Sequence, residues 1–586
     1  MTIAVQKVKE QIKIIGINAR YTHSCLALFY VRNELEKNCP EMVGELYQFT
    51  INDNYYEMLV RVSAGSPRFV FFSAAIWNSS VVEKLSRDLK VCLPGCRVVI
   101  GGPQAEVLAD RLGPENCTVV LGEIEAIEND FYRDLQAGTL KPRYLGSFFA
   151  MPKRSFDAPY RDGDFHGPLL NRHIYYESSR GCPFSCSYCL SAAEKGVYHK
   201  ELAVVEEELR DILRHRPKVV RFIDRTFNDR PDRALAIWKF LAVEGGDTLF
   251  HFEMAPDRFT EEMFTFLPTL PAGRFQFELG IQSTNPATLR AVNRGVDPGE
   301  AGATLARLVS MGNIHLHVDL ILGLPFETRE TFAESFRAVF AMGAHYMQMG
   351  LLKILPKTPI CSDSEEFAYR SCNEPPYAVL ANRWMDHPSL GELYWFSEAV
   401  EKFVNNRYFV TLWRYLRKRR ENGFVFFQRL LALCHARGFF QLAATQELMC
   451  ILLMQLAAGR DDGKLIIELL RYDWLRCGFR FLPDCLLHGG FPEPPEATRS
   501  ALYQALPEEL PGIYSRANRN HFFRKSYFLR VSSEALSEIG LAHEADNACL
   551  CILAEKEIGL FGYNKALVLE PPDSWPGLHA DDRGKS

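Results

Sequence analysis

The sequence predicts an α/β protein in three parts: a doubly wound parallel sheet, a partial (β/α) barrel and a mainly helical C-terminal domain. Three observations predict it. Short apolar runs alternate with helical stretches from Ile12 to about Glu125, the alternation resumes at His173, and aromatic-rich helical patterning takes over after about Asn373. At 586 residues the chain is too long for one core. We divide it into a sheet domain at 1–140, a linker at 141–172, a barrel at 173–372, a mainly helical domain at 373–570 and a flexible tail at 571–586.

In the first part the strand-like runs are 12–17, 43–49, 69–73, 97–100 and 119–121, separated by helical stretches such as 27–37 and 81–91. Ligands of such sheets sit beyond the carboxyl ends of the strands. The loops there carry Asn18, Tyr21 and His23, then Ser73, Trp77 and Asn78, then Gly101, Gly102 and Pro103, and finally Gly122 and Glu123. No G-x-G-x-x-G follows the first strand, only Gly16-Ile17-Asn18, which argues against a dinucleotide site. The linker is rich in Pro, Arg, Asp and Gly and lacks periodicity.

The barrel strands are read at 174–178, 219–223, 250–254, 275–280, 314–321 and 346–354. Directly after the first of them stands Glu177-Ser178-Ser179-Arg180-Gly181-Cys182-Pro183-Phe184-Ser185-Cys186-Ser187-Tyr188-Cys189, with cysteines at C-x3-C-x2-C spacing. Cluster sites normally take four cysteines, so three on one tight loop can hold three irons of a 4Fe-4S cube and leave the fourth iron open. The alternative is three free thiols among the sixteen cysteines of the chain, but the spacing, Arg180-Gly181, Pro183 and Tyr188 all agree with a cluster loop.

This run resembles the radical S-adenosylmethionine (SAM) superfamily. The resemblance implies that Cys182, Cys186 and Cys189 hold a 4Fe-4S cluster whose open iron binds SAM, and that reductive cleavage gives a 5'-deoxyadenosyl radical. Tyr188, Asp224, Glu278, Gln282, Ile321 and Gly323 fall on the family's SAM-binding elements. Asp224 can equally cap the next helix, and Gly323 with Pro325 can equally serve only a strand-to-helix turn. Glu278 inside an apolar strand is costly without a partner, which favours a function.

The first-domain loops resemble the Rossmann-like cobalamin-binding domain that precedes many radical SAM enzymes, and they imply corrinoid contacts at Asn18, Tyr21, His23, Ser73, Trp77, Asn78, Gly101, Gly102, Pro103, Gly122 and Glu123. A generic flavodoxin-like module is the other reading of these loops, and His23 alone fits packing as well as contact. No Asp-x-His-x-x-Gly loop follows the first strand, and in Asp164-Phe165-His166 the glycine position is taken by Leu169. The layout is similar to class B radical SAM methyltransferases, which implies methylation of an unactivated carbon through methylcobalamin. The alternatives are cobalamin-dependent cyclisation, oxidation or rearrangement without methyl transfer, and a redox sensor. Methylthiotransfer to RNA needs a second cysteine triad, and Cys25, Cys39, Cys92, Cys96 and Cys117 lack its pattern.

The net charge of -5 gives no pull toward nucleic acid. The basic run 414–420 reads as a solvated helix face. The longest apolar run, 448–458, is too short to span a bilayer, and the charged first ten residues do not read as a signal peptide. Free thiols then place the chain in the reducing cytoplasm. The partners expected are a small-molecule substrate and an electron donor of flavodoxin or ferredoxin type. Cys549 and Cys551 share a strand face and read as buried thiols rather than metal ligands.

Overall fold

In the computed structural model, residues 10–193, 196–487, 524, 526–541, 547–557 and 559–569 are described. The first strand, β1 (Glu10–Asn18), sets the logic of the N-terminal sheet. Ile12 and Ile14 join the core on one face, while Ile15 and Ile17 join the core on the other. Lys13 is buried between them, and its Nζ donates to the carbonyls of Arg61 and Ala64 at 2.6 Å each. Those carbonyls close the C-terminal end of a helix, where a cation is favourable.

The first domain runs β1, α1 (Leu26–Asn38), β2 (Met42–Thr50), α2 (Tyr55–Ser63), β3 (Phe69–Ser73), α3 (Ser79–Cys92), β4 (Arg97–Gly101), α4 (Ala105–Leu112), β5 (Cys117–Leu121), α5 (Asn129–Ala137) and β6 (Arg143–Leu145). All neighbours pair in parallel in the order β2-β1-β3-β4-β5-β6. The order reverses between β1 and β3, the place where such sheets bind ligands. Strand β6 lies inside the segment read as linker. Three residues are too few to show a period, so its pairing with β5 was invisible in the sequence.

The rest of that segment is strapped onto the first domain. Asp164 takes a bidentate pair from Arg32 of α1 at 2.5 and 2.9 Å and also accepts from the Arg161 backbone. Both charges are buried. This ion pair explains Asp164 without any cobalt-binding loop.

The barrel begins with β7 (Ile174–Tyr176), followed by a hairpin of β8 (Ser179–Cys182) and β9 (Gly196–His199), then β10 (Val219–Phe222), β11 (Leu249–Met254), β12 (Phe275–Gln282), β13 (His315–Leu322) and β14 (Tyr346–Leu351). Its six parallel strands are ordered β14-β13-β12-β11-β10-β7, an open partial barrel. A two-stranded ribbon, β15 (Arg370–Ser371) and β16 (Val379–Ala381), leads out of it.

The C-terminal part packs helices 387–403, 410–418, 423–436, 446–457 and 463–476 behind the barrel. An antiparallel sheet of β17 (Ser526–Ser532), β18 (Asn547–Lys556) and β19 (Asn564–Leu569) follows. The turn between β18 and β19 presents Phe561 to the rings of His315 and His345, with centroids 6.1 and 5.3 Å away, at the amino ends of the barrel strands. The basic run is absorbed by the protein itself. Arg414 donates to the Glu538 carbonyl, Lys418 pairs with Glu538, Arg419 with Asp462, and Arg417 lies over Phe340. Cys549 and Cys551 are fully buried. No helix among the described residues is long and apolar enough to cross a membrane. The segment read as tail lies outside the described residues.

Replacing Asp164 by Ala leaves Arg32 buried without its partner and is expected to cost about 3–5 kcal/mol of stability. Urea unfolding of the two proteins under anaerobic conditions measures the difference.

Candidate functional site

The cysteine loop is fixed before its first cysteine is reached. Asp224, buried at the end of β10, accepts from the Ser178 backbone at 3.1 Å and from the hydroxyls of Ser178 and Ser179 at 2.7 and 2.5 Å. Its oxygens are therefore spent on the loop. The sequence offers SAM or substrate contact, or a helix cap, for this residue; in the structure it does not line the cavity, and the turn after Thr226 has no side-chain cap.

Arg180 is the second anchor. It pairs with Glu177 at 2.7 Å and with Glu125 of the first domain at 3.1 Å, while the Tyr30 hydroxyl donates to Glu177 at 3.0 Å. The guanidinium lies over Phe156 and Phe148, 4.1 and 4.9 Å from the ring centroids. Gly181 follows with φ +99°, and a Cβ there would stand 2.2 Å from the Gly196 carbonyl, so only glycine fits. Beyond it, the Ser187 amide donates to the Val292 carbonyl and the Ser187 carbonyl accepts from Ile360, tying the loop to two other parts of the barrel.

Cys182, Cys186 and Cys189 then line one cavity with Tyr188, Glu278 and Gln282. All three thiols are free, and burial pushes the Cys182 thiol up. Arg294 reaches in beside them, its Nη1 3.7 Å from Cys186 Sγ and its Nη2 bonded to the Gly280 carbonyl at 2.5 Å. Gln282 sits at a bulge between β12 and β13 with φ +69°, which turns it into the cavity.

Ile321 and Gly323 lie outside the cavity lining. Gly323 has φ +89°, its carbonyl accepts from Tyr369 and Asn382, and a Cβ would meet Val379 at 2.7 Å. The turn explains it. Nearby, the Glu327 carboxyl is fully buried and accepts from the Ser283 hydroxyl at 2.7 Å, next to the Gln282 bulge. Burial pushes its pKa up to about 8.

On the first domain the residues singled out divide in two. Asn78 is buried and bonds the Ile17 and Ser73 carbonyls and the Ala75 amide, Asn18 bonds Gln48, and Glu123 accepts from the Phe148 amide. A Cβ on Gly102 would lie 2.6 Å from the Ala74 carbonyl, and one on Gly122 would lie 1.8 Å from the Gly146 carbonyl. Loop packing accounts for these five. Ser73 and Gly101 are partly buried at the ends of β3 and β4. Tyr21, 58% exposed under Arg172, Trp77, 53% exposed, and Pro103 stay open at the carboxyl edge of the sheet. His23 spans to the barrel, where its Nδ1 meets the Tyr175 hydroxyl.

Sequence reasoning missed Arg225, Glu253, Arg294 and Asp319 as cavity residues, and Arg221, His251 and His317 below them. A signal was there. His251 and Glu253, then Gln276, Glu278 and Gln282, then His315, His317 and Asp319 fall at alternate positions of three strands, whereas parallel barrel strands covered on both faces are ordinarily apolar throughout.

Residues 176–339 match the model of the Radical SAM superfamily, and residues 365–542 match the model of a protein of unknown function (DUF4080). The chain is 24% identical over 490 residues to the 2-(S-pantetheinyl)-carbapenam-3-carboxylate methyltransferase of Streptantibioticus cattleyicolor, covering 73% of this chain and 70% of that one. It is 24% identical over 418 residues to the cobalamin-dependent radical SAM methyltransferase TokK of Streptomyces tokunonensis, covering 62% and 60%. Among solved structures, OxsB with aqua-cobalamin and SAM bound shares the fold at a TM-score of 0.56 and 14% identity, covering 82% of each chain.

The Glu327 proton supplies a pH test. Its folded pKa of about 8 lies above the ordinary 4.5, so the stability it contributes is present in acid and lost as pH rises through about 8. Glu327→Gln is expected to lose less stability than the wild type between pH 4.5 and 8, read as melting temperature against pH.

Proposed function

We propose that the chain methylates an unactivated carbon of a small molecule by cobalamin-dependent radical SAM chemistry. The observation that carries the reading is the meeting of Cys182, Cys186 and Cys189 in one cavity at the carboxyl ends of the barrel strands. Three free thiols, a cation at Cys186 and no fourth cysteine in the cavity lining suit a 4Fe-4S cluster with one open iron. The donor set fits. When bound there, the cluster supplies the electron for reductive cleavage of SAM.

The residues of the chain hold and orient. Tyr188 and Gln282 border the space beside the thiols, and Glu253 and Arg294 offer opposite charges to the amino and carboxylate groups of SAM. Asp224 and Arg180 keep the loop in place from behind. For cobalamin, Tyr21, Trp77 and Pro103 supply an exposed aromatic and apolar edge at the switch point of the first sheet, and it faces the barrel through His23 and Tyr175. There the corrinoid supplies a methyl carrier, which polar displacement from SAM cannot replace at a carbon without an electron pair. Cofactors carry the hard chemistry, and the protein's part is placement. The methyltransferase names of the two curated relatives described above support methyl transfer over the other radical outcomes. A flavodoxin- or ferredoxin-type donor in a reducing cytoplasm completes the cycle.

Anaerobic reconstitution with iron, sulfide, cobalamin, SAM and reductant tests the proposal. The wild type is expected to bind iron and sulfide and to form both 5'-deoxyadenosine and S-adenosylhomocysteine. The variant with Cys182, Cys186 and Cys189 all replaced by Ala is expected to do neither. Formation of 5'-deoxyadenosine without S-adenosylhomocysteine in the presence of substrate would replace methyl transfer by rearrangement or oxidation.

A further inference from the structure

Below the cysteine cavity the barrel is not filled as parallel barrels usually are. Outward positions of the central strands are apolar, among them Phe250, Phe252, Phe277, Leu279, Val318 and Leu320, all buried against helices. Inward positions on the same strands carry His251, Glu253, Glu278, Gln282, His317 and Asp319. Ionisable groups gathered inside a barrel cost free energy of desolvation unless they meet partners or a ligand.

The groups form a chain across four adjacent strands. Arg221 Nη2 of β10 stands 2.9 Å from His251 Nε2 of β11, and the same nitrogen lies 3.3 Å from Glu278 Oε2 of β12. His317 of β13 continues it, with Nδ1 3.7 Å from Glu278 and Nε2 3.1 Å from Asp319. The His317 ring packs against Tyr346 of β14, and Arg221 is the register partner of Tyr175 on β7. Thus the barrel strands contribute to one polar belt that starts in the wall of the cysteine cavity, lined by Glu278 and Asp319, and runs toward Tyr175, the partner of His23 on the first-domain loop.

The arrangement of charge within the belt is specific. Arg221 and Glu278 could neutralise each other directly, yet His251 is wedged between them, and Arg221 forms no salt bridge with a carboxylate among the described residues. Two opposite fixed charges stand on either side of one imidazole nitrogen, which can accept from Arg221 or donate to Glu278 but not do both, so this histidine satisfies one of the two charges at a time. We propose that this belt is the substrate site and that it takes a small zwitterionic molecule, its acidic group on Arg221 and its cationic nitrogen on Glu278. The inference rests on the radical SAM reading above and assigns Glu278 to substrate in place of SAM.

The test uses the reconstituted full chain and a metabolite extract of the native cell, separated into zwitterionic, cationic, anionic and apolar fractions. The readout is stimulation of 5'-deoxyadenosine formation. The zwitterionic fraction is expected to stimulate the wild type, and Glu278→Gln and Arg221→Gln are each expected to need roughly 30-fold more of it, the loss that follows removal of one partner of a buried charged hydrogen bond. Equilibrium dialysis is expected to show SAM binding retained in both variants. Stimulation by another fraction alone, or by none, overturns the proposal, as does loss of SAM binding in Glu278→Gln, which would return that residue to the cosubstrate. A wild type that binds iron and sulfide but cleaves no SAM under any condition would instead sink the radical SAM reading itself, and the two failures are told apart by that control.

Discussion

The buried ion pair network around Arg180 holds this structure's chemistry in place. One guanidinium, two residues before the first cysteine, is shared between Glu177 of its own loop and Glu125 of the first domain and is sandwiched on Phe148 and Phe156. A loop rich in small residues has no fixed shape of its own. Here its approach is dictated from two sides at once, by Arg180 toward the sheet domain and by Asp224 toward the barrel. Buried charges are expensive, and their partners therefore restrict the loop to the one conformation in which each is satisfied. The relative placement of the two domains and the aim of the three thiols become a single geometric fact.

That coupling reaches the ligand edge of the first sheet. Glu125 belongs to the short turn after β5, two residues beyond Glu123, whose carboxylate fixes the Phe148 amide beneath Arg180. The loop that borders the proposed corrinoid face and the loop that borders the proposed cluster thus share a hydrogen-bonded wall. Placement of two cofactors against one substrate requires such a wall, since small errors in position are costly to a reaction that depends on proximity.

Much of this was legible in the sequence because it is written locally. Strand and helix alternation predicts both parallel sheets, and a thirteen-residue window around the cysteines predicts the site loop. The partners of buried charges were not legible. Asp224 joins Ser178 across 46 residues, Arg32 joins Asp164 across 132, and Arg180 joins Glu125 across 55, distances at which no local pattern survives. Nor was it legible that Gly102 and Gly122 lie against backbone from other loops. Glu278 was rightly flagged as costly, while the histidines on either side of it became visible only when neighbouring strands were laid in register.

The turn that sets Phe561 against His315 and His345 joins the C-terminal region to the amino ends of the barrel strands. It stoppers the floor of the barrel, with Arg407 stacked on its outer side. Reactive radicals survive only where bulk water and stray hydrogen donors are shut out. A shortened chain ending at the last barrel strand would keep Cys182, Cys186 and Cys189 yet lose the ring that covers His315 and His345, so the C-terminal segment is better regarded as part of the barrel's floor than as an appendage to it.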